Sequence, residues 1–263
     1  MNLAGTHVLL TGATGGLGQA IARALAARGA TLTLTGRRID VLEPLAVELG
    51  GRAVASDLSE PDAPEKLLEE AGDVDVLVAN AGLPASGRLD SFSDEEVDRA
   101  LAVNLRAPMI LAKALAPRMI ERGGGHLLFM SSLSGKAGAP RSSVYAATKF
   151  GLRGFALALR EDLAPKGVGV SVVLPGFISD AGMFADSGAK LPPYVGTKRP
   201  EDVARAVVKA IEHDRAEIEV APVALRAGVT LAALAPGPIG AIQRRLGAAA
   251  TADAIGRGQQ DKR

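Results

Sequence analysis

Short apolar runs alternate with segments of helical period along most of the chain, and few architectures accept that pattern. Val8-Leu9-Leu10 stops at Thr11-Gly12. Leu17, Ala20, Ile21, Ala24 and Leu25 then recur at helical spacing until Gly29. Leu32 and Leu34 alternate with threonines as a strand, and Val41, Leu42, Leu45 and Leu49 mark a helix before Gly50-Gly51. Further strands are predicted at residues 53–55, 74–79, 127–130, 170–174 and 218–220. Helices are predicted from near Pro61, over 94–122, over 143–163 and over 200–213. Parallel neighbours need a crossover helix between them, so strand and helix in turn imply a parallel sheet covered on both faces. Residues 177–198 read as a mobile loop. No linker or repeat divides the chain, so residues 1–222 form one domain and 223–263 a less regular extension.

Composition narrows the class. A chain of 263 residues can bury one sizeable core. Lys plus Arg is 30 against 29 acids, and a net charge of +1 gives no reason to expect nucleic acid. Without cysteine there are no disulfides, thiolate nucleophiles or Cys-type zinc sites, which fits a reducing compartment. His7, His126 and His213 lack ligand spacing, so no metal site is expected. The longest uncharged stretch near the C-terminus, 227–243, carries Pro236, Pro238 and three glycines and is a poor spanning helix. The N-terminus has no basic, apolar leader. The expectation is a soluble cytoplasmic protein. Aromatic residues make up 3%, so any pocket is lined mainly by aliphatic side chains.

Two constellations carry chemistry. The first strand opens into Thr11-Gly12-Ala13-Thr14-Gly15-Gly16-Leu17-Gly18. Gly12 permits a tight turn, and Gly16 and Gly18 let an anion approach the backbone N–H groups of a helix N-terminus. The spacing is neither G-x-G-x-x-G nor a P-loop, and a plain glycine hairpin is the competing reading. The second pair is Tyr145 and Lys149, at i and i+4 on one helix face. A phenol ionises near about 10. A neighbouring ammonium favours the phenolate, so the phenol is expected to fall toward working pH and exchange a proton with a carbonyl oxygen. Ser132, just past a strand, can hydrogen-bond the same oxygen. Ser131 and Ser134 are its rivals. No Gly-x-Ser-x-Gly elbow surrounds it.

Thr11-Gly12-x-x-x-Gly16-x-Gly18, Asn80-Ala81-Gly82, the ordered set Asn104, Ser132, Tyr145 and Lys149, and Pro175-Gly176 together resemble the motifs of classical short-chain dehydrogenases/reductases. The resemblance runs from about residue 5 to about 221. It implies a single-domain Rossmann-type, doubly wound α/β fold with about seven parallel strands and a C-terminal extension. It implies that Asn104, Ser132, Tyr145 and Lys149 are catalytic, with Asn104 holding a water of the proton relay and Lys149 also holding the nicotinamide ribose. Cofactor contacts would come from Gly12, Thr14, Gly15, Gly16, Leu17, Gly18, Leu58, Asn80, Ala81, Gly82, Tyr145, Lys149, Pro175, Gly176 and Ile178, with Asp57 on the adenine amino group. Relatives are usually homodimers or homotetramers. Two positions depart from the pattern. Asp180 stands where many relatives have a Thr that holds the carboxamide, with Ser179 one place earlier. Gly15 stands where many NADP-dependent relatives have a basic residue.

Thr35-Gly36-Arg37-Arg38 has no acid at the end of the second strand. An acid there accepts bonds from the ribose 2′-hydroxyl, whereas an Arg pairs with a 2′-phosphate. NADP(H) is therefore expected over NAD(H), with Arg37 leading and Arg38 assisting. The expected reaction interconverts a ketone and a secondary alcohol on an apolar or lipid-like substrate. Leu133, Ala139, Pro140, Met183, Phe184 and Tyr194 are the candidate lining. The alternative is a non-catalytic NADP(H)-binding regulator, which needs the glycine turn but not Tyr145. In the extension, Leu225, Val229, Leu231, Leu234, Ile239 and Ile242 offer apolar surface for docking on the body or a partner subunit. Residues 251–263 are expected to fray. Contact with a membrane surface is the weaker alternative.

Overall fold

The computed structural model describes residues 1–192, 195–245 and 248–262. Seven strands form one parallel sheet: β1 (His7–Thr11), β2 (Thr31–Gly36), β3 (Arg52–Ala55), β4 (Val76–Ala79), β5 (Gly125–Met130), β6 (Val168–Pro175) and β7 (Glu217–Val220). Their order is β3-β2-β1-β4-β5-β6-β7. Between them run α1 (Gly16–Ala26), α2 (Ile39–Leu49), α3 (Ala63–Ala71), α4 (Asp94–Leu101), α5 (Ala107–Glu121), α6 (Ser143–Leu163), the short α7 (Met183–Asp186) and α8 (Pro200–Glu212).

Successive strand residues point to opposite faces, so each strand feeds two cores. Val8 and Leu10 of β1 meet Ile21 and Leu25 of α1 and Val203, Val207 and Ile211 of α8. Leu9, between them, belongs to the other core, with Leu111, Leu115 and Met119 of α5 and Leu152 and Ala156 of α6. Both faces are dry, which is why β4 is a continuous apolar run, Val-Leu-Val-Ala, with every residue buried. The chain winds outward from β1 to β3, then returns to lay β4 beside β1. The direction of winding reverses there, and the crevice beyond the carboxyl ends of β1 and β4 is the place such a sheet offers a ligand.

The helical stretch predicted over 94–122 divides. Ser93 and Glu96 form a capping box at the start of α4, and a π-helical turn, Ala102–Arg106, separates α4 from α5. Asn104 lies in that turn, a device that often marks a functional position. The loop predicted over 177–198 also gains structure. Ile178 pairs with Lys198 in a parallel bridge, and α7 forms inside it. Tyr194, a candidate lining residue, lies outside the described residues.

The extension folds as α9 (Val223–Leu234), α10 (Pro236–Arg245) and α11 (Ala248–Gly258). Leu225 and Val229 pack on the core shared with α5 and α6, whereas Leu231, Leu234 and Ile242 are exposed in the single chain. Residues 251–262, expected to fray, make specific contacts with the body. Asp253 pairs with Arg141 at 2.7 Å, Gln259 Nε2 donates to the Met183 carbonyl at 2.8 Å, and Lys262 pairs with Asp186 at 2.8 Å. Gly256 and Gly258 make this possible. A Cβ at either would press on the backbone of Gly87 or Ser187. No helix among the described residues is long and apolar enough to cross a membrane.

Candidate active site

The glycine turn is fixed by close approach. Gly12 has φ +68°, and a Cβ there would lie 2.7 Å from Ala81 Cα and 2.9 Å from Ala81 N. A Cβ at Gly18 would collide with the Gly12 carbonyl. Thr11 Oγ1 accepts from the N–H groups of Asn80 and Ala81, both at 3.0 Å. Asn80 Nδ2 donates back to the carbonyls of Thr11 at 3.0 Å and Gly12 at 3.2 Å. The Asn-Ala-Gly segment after β4 is thereby stapled to the turn after β1. Gly15 caps α1 without any side-chain bond, which leaves first-turn N–H groups for an anion. Leu17 is partly buried against the same core.

At the end of β2, Arg38 donates to the Thr14 carbonyl at 2.9 Å, and Gly36 leaves room for the Thr14 side chain. Arg37 is exposed and makes no hydrogen bond or ion pair among the described residues. Burial opposes ionisation of Asp57, yet Ser59 donates to it from Oγ at 2.7 Å and from N at 3.0 Å. With the charges of Arg37 and Arg99, these bonds hold its carboxyl below the usual range. Leu58 beside it is buried.

Helix α6 carries Tyr145 and Lys149 one turn apart. Lys149 is 3% exposed, donates to the Met130 carbonyl at 2.9 Å and sits 5.6 Å from the Tyr145 ring centroid. Burial pushes its ammonium down to about 8. Burial also pushes the Tyr145 phenol up to about 12, with the neighbouring Ser132 side chain opposing. Within the chain by itself, desolvation therefore outweighs the side chain that favours ionisation, and the Lys149 ammonium is engaged with a peptide.

The three serines separate by their partners. Ser132 acts on the Tyr145 phenol from beside it, donates to the Pro175 carbonyl at 3.4 Å and accepts from the Ser134 N–H at 3.1 Å. Ser131 is buried and donates to the Lys149 carbonyl at 2.9 Å. Ser134 contributes its backbone N–H. Asn104 is fully buried. Its Oδ1 accepts from Leu83 N at 2.7 Å, and its Nδ2 donates to the Leu83 carbonyl at 3.0 Å and to Thr148 Oγ1 at 3.4 Å. All three bonds go to protein groups. Thr148 was not anticipated. It is fully buried and also donates to the Tyr145 carbonyl at 2.8 Å. A polar residue between Tyr145 and Lys149 on the inward face was the available signal.

Gly82 marks where these parts meet. A Cβ there would lie 3.3 Å from Asn104 Oδ1, 3.4 Å from Met183 Cε and 3.6 Å from Lys149 Nζ. Pro175 ends β6, and Gly176 N donates to the Val220 carbonyl at 3.0 Å. Ile178 is buried behind them. Asp180, at φ +66°, accepts from the Ser179 hydroxyl at 2.9 Å, so the two candidate carboxamide anchors bind one another.

A family model described as short chain dehydrogenase matches residues 6–192. The chain is 39% identical over 246 residues to the ketoacyl reductase HetN of Nostoc sp., covering 90% of this chain and 86% of that one. Among solved structures it is similar to a short-chain dehydrogenase from Sphingobium yanoikuyae in complex with NADPH, with TM-score 0.76 and 28% identity over 90% of this chain and 95% of that one. It is also similar to the 3-ketoacyl-(acyl-carrier-protein) reductase of Brucella melitensis complexed with NADH. There the TM-score is 0.74 and the identity 28%, over 83% of this chain and 97% of that one.

Proposed function

We propose that this chain, which belongs to the short chain dehydrogenase family of nicotinamide-dependent oxidoreductases, interconverts a ketone and a secondary alcohol with NADP(H). The observation that carries the reading is the convergence of Ser132 and the Lys149 ammonium on Tyr145, with Lys149 close to Gly82 of the segment stapled to the glycine turn.

The residues present fit such a cofactor. The N–H groups from Gly12 to Gly18 would hold the pyrophosphate, Arg37 the 2′-phosphate, Asp57 the adenine side, and Lys149 the nicotinamide ribose. The bound nicotinamide supplies or takes the hydride. Tyr145 gives its proton to the carbonyl oxygen in reduction and takes it back in oxidation. Ser132 donates to that oxygen as charge develops. Lys149, charged below about pH 8, offsets the charge left on the phenol. Asn104 and Thr148 hold Leu83 and the Tyr145 peptide in register, and Asn104 would hold the relay water.

Buried Leu133 and the edge-to-face pair Phe177–Phe184, with centroids 5.1 Å apart, support an apolar carbonyl substrate. The activity in the name of the Nostoc relative supports a ketone among carbonyls. Exposed Leu101, Met109 and Phe150 on α4, α5 and α6 support a homodimer or homotetramer that covers them. Tyr145→Phe tests the reading. Turnover of a ketone with NADPH should fall by roughly 10²–10⁴ while NADPH binding, read by fluorescence, persists. A wild-type chain that binds NADPH and reduces none of a broad ketone panel would instead favour the regulator.

A further inference from the structure

Two segments border the reaction site. On one side Ala181 presses on Gly16, Gly182 lies against Leu17, and the Met183 methyl reaches toward Gly82 and Lys149. On the other, Tyr145 N donates to the Ala85 carbonyl at 3.2 Å and Gly87 N donates to the Arg141 carbonyl at 2.6 Å. Arg141 holds φ +59°, a strained conformation for a residue with a side chain.

Helix α11 and the residues after it are fastened to both. Asp253 pairs with Arg141 at 2.7 Å, and Gly256 lies against Ser86 and Gly87. Gly258 then lies against Ser187, Gln259 Nε2 donates to the Met183 carbonyl at 2.8 Å, and Lys262 pairs with Asp186 at 2.8 Å. Gln259 is 4% exposed, and its Oε1 has no partner among the described residues. A buried amide with an unmet acceptor is a costly way to fill space. Its one bond goes to the residue whose methyl reaches the reaction centre.

The geometry points to residues 253–262 as a strap across the mouth of the site, with Gln259 as a positioning and specificity-determining residue. By holding the Met183 peptide it keeps the Met183 side chain over the Lys149 end of the pocket and limits the bulk of carbonyl substrate admitted. The specificity part rests on the oxidoreductase reading above; the fixing of Met183 does not.

The test compares the full wild-type chain with Gln259→Leu, which keeps bulk and loses the donor. Asp253→Ala, which releases the other end of the strap, is the second variant should the first not fold. Two quantities are read: amide hydrogen exchange over residues 181–188, and the kcat/KM ratio of a bulky aryl ketone to a small ketone with NADPH. Loss of one buried hydrogen bond should speed the exchange by about tenfold and raise the bulky-to-small ratio by about tenfold, chiefly through KM. Unchanged exchange in both variants overturns the strap. Faster exchange with an unchanged ratio overturns the specificity role. A wild-type chain that reduces no ketone fails the oxidoreductase reading, and the exchange measurement still decides whether Gln259 fixes Met183.

Discussion

Lys149 Nζ donates to the Met130 carbonyl at 2.9 Å, so the buried ammonium of α6 hangs from the last peptide of β5. Burial lowers this group from 10.5 to about 8. A base with a lowered folded pKa binds fewer protons folded than unfolded across that window. Stability therefore rises with pH from about 8 to 10.5, and below about 8 the folded chain bears the full cost of the buried charge. Lys149→Met removes the charge at similar volume. It should abolish turnover yet raise the melting temperature at pH 7 by about 2 °C or more. A lower melting temperature would mean that the bond to Met130 outweighs the desolvation.

The serines make a sharper comparison. Ser132→Ala should slow turnover by roughly 10²–10³, the scale of one lost donor at a developing oxyanion. Ser134→Ala should leave turnover near normal, because Ser134 serves Ser132 through its backbone. Ser131→Ala should instead cost about 1 kcal/mol of stability, through the lost bond to the Lys149 carbonyl. Steady-state kinetics and melts on the three variants check this. Interchanged effects of Ser132 and Ser134 would move the catalytic register.

What the sequence made legible was local. Gly12 and Gly18 stand where a side chain would strike backbone, and alternating apolar runs followed from a sheet buried on both faces. Other features depend on contacts between distant segments. The role of Asn80 as a staple to Thr11 needs β4 beside β1. The π turn at Asn104 has no compositional mark within a helical stretch. Spacing put Lys149 beside Tyr145 but gave no measure of the desolvation that acts on the phenol. Residues 251–263 read as fraying from their place at the end of the chain, and the close approach of Gly256 to Gly87 and of Gly258 to Ser187 shows only in the folded body.

A second titration lies away from the site. His126 on β5 is 2% exposed, and its Nε2 hydrogen-bonds Ser171 Oγ at 2.9 Å. Burial pushes the imidazole from 6.5 down to about 4, with Asp214 opposing. The unfolded chain takes up this proton first. The contribution is therefore full above about 6.5 and lost as pH falls toward 4, on the order of 3 kcal/mol. His126→Gln keeps a partner for Ser171 and does not titrate. Its melting temperature should fall less steeply between pH 6.5 and 4 than that of the wild type. Parallel slopes in thermal melts would assign the acid sensitivity to other groups.

The preference between nicotinamide cofactors is expected to divide between two adjacent arginines. Arg38 is committed to the Thr14 carbonyl, so it shapes the glycine turn proposed above to hold the pyrophosphate of either cofactor. Arg37 is exposed, without a hydrogen bond or ion pair among the described residues, and near enough to Asp57 to help hold it ionised. A guanidinium so placed pairs with a 2′-phosphate, whereas a carboxylate repels it and accepts from a 2′-hydroxyl. Arg37→Asp should weaken NADPH binding by about 10- to 100-fold, the scale of one charge-assisted bond, and leave NADH binding level or tighter. Arg38→Ala should weaken both cofactors alike, because it loosens the shared turn. Cofactor fluorescence titrations on the two variants read this directly. If the wild type prefers NADH, or Arg37→Asp leaves the ratio unchanged, the second strand's end does not set the choice. If Arg38→Ala shifts the ratio instead, the phosphate is held from the neighbouring residue and the bond to Thr14 gives way when it binds.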